Sequence, residues 1–87
     1  MVTLKDFREA ILYISESESV SHLVKEANDD VLEKFDFWQD LHMGNVRILN
    51  VVTQLERTYN LNLPIEVYKK YDGTVGSLRD AINSYIS

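Results

Sequence analysis

Apolar residues recur along this chain at helical spacing, in blocks separated by short polar stretches. Leu4, Phe7, Ile11 and Ile14 follow one another at three or four residues, which places them on one face of a helix over 3–15. Thr3 offers a hydroxyl to cap the free backbone N–H groups, and Asp6 suits the positive end of the helix dipole. Lys5, Arg8 and Glu9 fall on the opposite face. The run "SESES", Ser15 to Ser19, breaks the pattern and predicts a solvated loop. Val20, Leu23, Val24 and Ala27 resume helical spacing, and the "NDD" that follows favours caps and turns. Val31, Leu32 and Phe35 fit one further short turn of helix.

The next long block runs from Asn45 or Val46 to Tyr59. Its stripe is Val46, Leu49, Val52, Leu55 and Tyr59, widened by Ile48 and Val51. Asn45 is a good N-cap residue, and Gly44 before it allows a tight entry. Asn60 ends this helix, and Pro64 opens a short helical segment, because proline suits a first helical turn. After the turn "DGT", Val75, Leu78, Ala81, Ile82, Tyr85 and Ile86 define a last helix over 75–86. The pattern predicts an all-α fold. It is a single domain over 1–87, a small bundle of three main helices plus one or two short ones around one core.

Composition agrees and excludes several functions. The chain is 45% apolar and 26% charged, as in an ordinary soluble domain. A chain of this length buries a little over about 60% of its unfolded surface, enough for one modest core. Three glycines and one proline leave little for turn-rich β architecture. With no cysteine there is no disulfide, thiolate metal site or cysteine nucleophile, which suits a reducing compartment. The N-terminus lacks a basic start followed by an apolar run, and no stretch approaches the roughly 20 apolar residues of a membrane span. A cytoplasmic protein without membrane contact is expected. The net charge of −5 argues against nucleic acid, which is held mainly by clustered Lys and Arg. That charge is uneven: residues 1–43 sum to −6 and residues 44–87 to +1.

An ordered set of short motifs then stands out. Phe37, Asp40 and Leu41 form "F-x-x-D-L"; Leu55, Glu56 and Tyr59 form "L-E-x-x-Y"; Leu63 and Pro64 close a linker; Thr74, Val75 and Leu78 form "T-V-x-x-L". In order, and nearly in spacing, this set resembles the acyl carrier proteins and related phosphopantetheine-attachment domains, over about residues 37–87. The segment between the first helix and Phe37 is several residues longer than is usual for that family.

The resemblance implies a serine, within an Asp-Ser-Leu motif, that receives a phosphopantetheine arm at the start of the second main helix. Here that motif falls on Gly44, Asn45 and Val46. A carboxamide has no hydroxyl to phosphorylate and no usable nucleophile. The aspartate that assists metal and transferase in the family is a glycine. No cofactor is therefore expected. Ser77 and Thr53 are the nearest hydroxyls considered, and neither sits on the loop–helix junction. The family's second helix is usually acidic, whereas this one carries Arg47, Asn50, Gln54, Glu56 and Arg57, a net of +1 over 45–59. Such a helix is a poor ligand for basic docking patches.

Other candidates are weaker. His22 and His42 lie on different segments and lack convergent ligands, so no metal site is expected. Asp29, Asp30, Asp36 and Asp40 lack the glycine and terminal glutamate of a calcium loop. Phe35, Phe37 and Trp38 either close the core or leave one ring at a contact surface. Tyr68 and Tyr71, around Lys69 and Lys70, fit a filled core or a recognition edge. The residues expected to meet a partner are His42, Met43, Arg47, Asn50, Gln54, Arg57 and Tyr68. No nucleophile–base pair, metal cluster or phosphate loop suggests an enzyme. The favoured reading is a monomeric carrier-like protein without the attachment serine. It would be a non-covalent partner of fatty-acid or polyketide-type assembly enzymes. A genuine carrier, modified elsewhere or carrying Asn45 as a Ser-to-Asn variant, and an unrelated small helical adaptor stay open as alternatives.

Overall fold

The computed structural model describes residues 1–86 and forms an all-α bundle. Helix α1 spans Leu4–Ile14, α2 Glu18–Glu26, α3 Asp29–Lys34, α4 Asn45–Tyr59 and α5 Val75–Ile86. A 3₁₀ helix covers Ile65–Lys70. Among the described residues three long helices are present as expected, but three shorter elements accompany them rather than one or two. Side-chain caps explain the extra division. The Ser17 hydroxyl accepts from the Val20 N–H, so α2 starts inside the "SESES" run rather than after it. The Asn28 side chain accepts from the Val31 N–H and starts α3 separately. Each cap satisfies a donor that a helix start otherwise leaves unpaired.

α1 packs mainly on α4 and α2, while α5 covers α3 and the 3₁₀ helix. Phe7, Ile11, Val24, Leu32, Phe37, Val51, Leu78 and Ile82 share the fully buried centre. The predicted core stripes of α1 and α5 are found, apart from the exposed Tyr85 and Ile86 at the end of the latter. In α4 the stripe needs correction. Ile48, Val51, Val52 and Leu55 are buried, whereas Val46 and Leu49 are 72% and 50% exposed. Val46 precedes Ile48 by two residues, roughly 200° of helical rotation, so both cannot face the core. Leu23 and Val31 are also partly exposed, at 41% and 44%.

Arg8 is a second correction. Rather than sitting on a solvent face, its guanidinium donates to the carbonyls of Val24 and Ala27 (2.7 Å for the latter). It also meets the Asp29 carboxylate at 3.2 Å. Those carbonyls end α2 and have no intrahelical partner of their own. One long side chain thereby ties α1 to the end of α2 and the start of α3.

Chain ends and linkers are fastened likewise. The Asn83 amide pairs with the Val2 backbone, accepting at 2.9 Å and donating at 3.0 Å. Asn60, in the left-handed region at φ 53°, stops α4. Gly76 lets α5 approach α3: a β-carbon there would lie 3.0 Å from the Glu33 carbonyl oxygen and closer still to its Cγ.

Candidate functional site at the start of α4

The loop before α4 is fixed by its own polar groups. Asp36 Oδ1 accepts from the N–H groups of Trp38 and Gln39 at 2.8 and 2.9 Å. Asp40 Oδ2 accepts from the Asp36 N–H at 2.7 Å. Phe37 and Leu41 are buried beneath, and Met43 N–H closes the turn onto the Phe37 carbonyl at 2.7 Å. Phe37 meets Tyr71 edge to face, ring centres 6.1 Å apart. Backbone bonds from Phe37 N–H to Gly73 O and from Val75 N–H to Phe35 O join this loop to the entry of α5. Every residue of "F-x-x-D-L" therefore has a structural task.

The same holds for the other motifs. Leu55 is buried, the Glu56 carboxylate accepts from the Leu63 N–H at 2.8 Å, and Tyr59 donates to Asp6. The Thr74 hydroxyl accepts from the Ser77 N–H at 3.2 Å, with Val75 and Leu78 buried behind it.

The junction itself is open. Gly44 occupies the N-cap position with extended backbone and no side-chain cap, and α4 has no acidic residue in its first turn. Asn45 is the first residue of the helix and is exposed, so it is not the cap that its residue type suggests. The N–H groups of this first turn gain no side-chain acceptor from the cap.

Asn45 borders a groove of about 320 Å³ between α4 and the 3₁₀ helix, lined also by Ile48, Leu49, Ile65, Tyr68 and Tyr71. Ile65 is 72% exposed. Burial, with the charge of Glu56, raises the Tyr68 hydroxyl above its ordinary value. Burial, with Asp36 and Asp72, does the same at Tyr71. Leu49 and Ile65 were absent from the expected contact residues. The three-residue spacing of Ile65, Tyr68 and Tyr71 was the available signal, since such positions align on a 3₁₀ helix.

The expected partner residues do not form one surface. Met43 is buried at 2% exposure, which removes its side chain from any direct contact; Phe37 and Leu41 pull the same loop inward. Arg47 turns back to meet Glu16 at 3.1 Å and the Ile14 carbonyl at 3.4 Å. It shares a separate cleft of about 420 Å³ with His42 and the Ser15–Ser17 segment. His42 is exposed and left-handed at φ 53°. Gln54 lies in a recess of about 230 Å³ against α1, beside Tyr13 and Thr58. Asn50 and Arg57 are exposed. Only Tyr68 joins Asn45 at the groove. Of the aromatic trio, Phe37 is buried, Phe35 half-buried and Trp38 exposed.

The hydroxyls of Ser77 and Thr53 are engaged elsewhere. Ser77 Oγ donates to the Thr74 carbonyl and accepts from the Asp72 N–H. Thr53 Oγ1 donates to the Leu49 carbonyl at 2.9 Å. Among the described residues no three His, Cys, Asp or Glu side chains converge as a metal site, and no helix is long and apolar enough to cross a membrane. Neither a family model, nor a curated protein, nor a solved structure matches this chain.

Proposed function

We propose that this chain is a carrier-like protein that has lost covalent carriage and works through non-covalent protein contacts. Its setting would be the cytoplasm, among enzymes of fatty-acid or polyketide type. The observation that carries the reading is the contrast at the start of α4. The motif residues around it, Phe37, Asp40, Leu41, Glu56, Tyr59 and Thr74, are committed to the scaffold. The junction where attachment chemistry would sit presents Gly44 and an exposed Asn45. A frame kept without its nucleophile is expected of a protein that still docks but is no longer modified. The engagement of Ser77 and Thr53 in local hydrogen bonds speaks against a substitute attachment point.

The test is co-expression with a broad-specificity phosphopantetheinyl transferase, followed by intact-mass measurement. The expected mass is that of the unmodified chain. A gain of one phosphopantetheine would overturn the reading.

A further inference from the structure

Helix α4 gives one side to the core and leaves the other without a partner. Ile48, Val51, Val52 and Leu55 are buried, while Val46, Leu49, Asn50, Thr53 and Arg57 are exposed. At about 100° per residue these five fall within an arc of about 100°, opposite the buried set. The stripe carries no carboxylate, and its single charge is Arg57 at the far end, which enters no ion pair among the described residues. Ile65, 72% exposed, flanks Leu49 across the groove, whose lining holds no charged side chain. The other end of the stripe is negative. There the loop before α4 brings Asp36 and the exposed Asp40, and Asp36 and Asp72 act on Tyr71, which borders the groove with Asn45.

We infer that this face pairs with the same face of a second copy, the two α4 helices running antiparallel about a two-fold axis beside Leu49 and Asn50. A surface negative at one end, positive at the other and uncharged between is complementary to itself in that orientation. Arg57 of each copy reaches the Asp40 end of the other, and Val46 meets Thr53 across the axis. Parallel pairing would instead set Arg57 against Arg57. Antiparallel helices also oppose their dipoles favourably. Val46, Leu49 and Ile65 leave water, which supplies the driving force. The acids of α2 and α3 belong to helices packed on α1 and α5, and none lies on the paired face. A face about 22 Å long and about 10 Å wide is small beside the roughly 800 Å² per partner of a standard interface, so the dimer is weak. The monomer expected from the sequence is then the dilute form. Pairing of this kind does not depend on the carrier reading.

Sedimentation equilibrium of the full chain from about 10 µM to about 1 mM, the range of weak association, tests the pairing. The average mass should rise from 10.1 kDa toward twice that value. Leu49→Asp should raise the dissociation constant roughly tenfold or more, and Arg57→Glu about threefold or more. Both positions are exposed, so the variants retain the fold, which circular dichroism verifies. Orientation is read by cross-linking, since the chain has no cysteine of its own. A mixture of Val46→Cys and Thr53→Cys proteins should form disulfide-linked pairs faster than either protein alone. A chain that stays monomeric at the highest concentration leaves the face to a different protein and overturns the inference. So does a dimer indifferent to Leu49→Asp, or Val46→Cys protein that links fastest to itself. A gain of phosphopantetheine in the mass test sinks the non-covalent reading but leaves these outcomes unchanged, so the two failures are distinguishable.

Discussion

The hydroxyl of Tyr59, at the end of α4, donates to the carboxylate of Asp6 in the first turn of α1. The same carboxylate accepts from the Thr3 N–H at 2.8 Å, while Thr3 Oγ1 accepts from the Asp6 N–H at 3.2 Å. Tyr59 thus closes a capping box from outside and joins the two helices that pack most closely.

The contact sets a pH dependence. Burial pushes the Asp6 carboxyl up, but the hydrogen bonds from Tyr59 and Thr3, with nearby Lys5, outweigh it and hold the group below its ordinary 3.8. A carboxyl lowered in the folded state contributes stability that is present above its unfolded value. That contribution is lost as pH falls through the lowered folded value. Tyr59→Phe is expected to cost about 1–2 kcal/mol at neutral pH, the lower part of the range of about 1.5–3 kcal/mol for a hydrogen bond to a charged group, reduced because the pair is only part-buried. The difference from the unaltered chain should shrink below pH 3.8 as Asp6 protonates. Urea denaturation of both proteins from pH 7 to pH 3 measures it; a pH-independent difference would contradict the assignment.

Arg8→Met keeps the apolar stem and removes the donors that close α2. The loss should be about 2 kcal/mol, because Val24 and Ala27 carbonyls forfeit charge-assisted bonds. Asp29→Asn should change stability by no more than about 0.5 kcal/mol, since the Asp29 side chain is 75% exposed. Hydrogen exchange supplies the second readout. Amides near the end of α2 should lose protection in the Arg8 variant and keep it in the Asp29 variant.

Gly76→Ala sets helix propensity against packing. Alanine gains about 1 kcal/mol over glycine in a helix interior, an upper bound at Gly76, the second residue of α5. The new β-carbon would fall against Cγ and the carbonyl oxygen of Glu33, and overpacking of this kind costs about 1–3 kcal/mol. Backbone cannot yield as a side-chain tip can, so the net effect should be destabilising. A thermal melt with a lower midpoint bears this out, and a raised midpoint contradicts it.

The helices were legible because their signals are local. Spacing of three and four placed α1 and α5, and Asn60 and Pro64 marked the flanks of the linker. What was not legible depends on elements meeting. α4 carries apolar residues around more than half its circumference, so only its packing on α1 decides that Val52 is buried and Leu49 is not. Arg8 looked solvated because its sequence neighbours say nothing of α2's carbonyls. The junction at Gly44 and Asn45 could be found from motif order alone. The groove could not, because Leu49 and Ile65 line it from segments sixteen residues apart. Asn45 has the residue type of a cap but is not one for a simpler reason: Gly44 takes that position with extended backbone.

The central claim is that the frame of a carrier persists while the attachment chemistry is gone, and restoring that chemistry tests it most directly. A β-carbon at Gly44 would lie 3.7 Å from the Trp38 ring, an ordinary contact, so Gly44→Asp fits. As an N-cap with a side-chain acceptor, the aspartate should also stabilise α4 by several tenths of a kcal/mol. The measurement is intact mass after incubation with coenzyme A and a broad-specificity phosphopantetheinyl transferase, for Asn45→Ser and for Gly44→Asp with Asn45→Ser. The account predicts slow, incomplete labelling of the single variant and a gain of one phosphopantetheine by most of the double variant. A double variant that folds yet stays at its unmodified mass would contradict it.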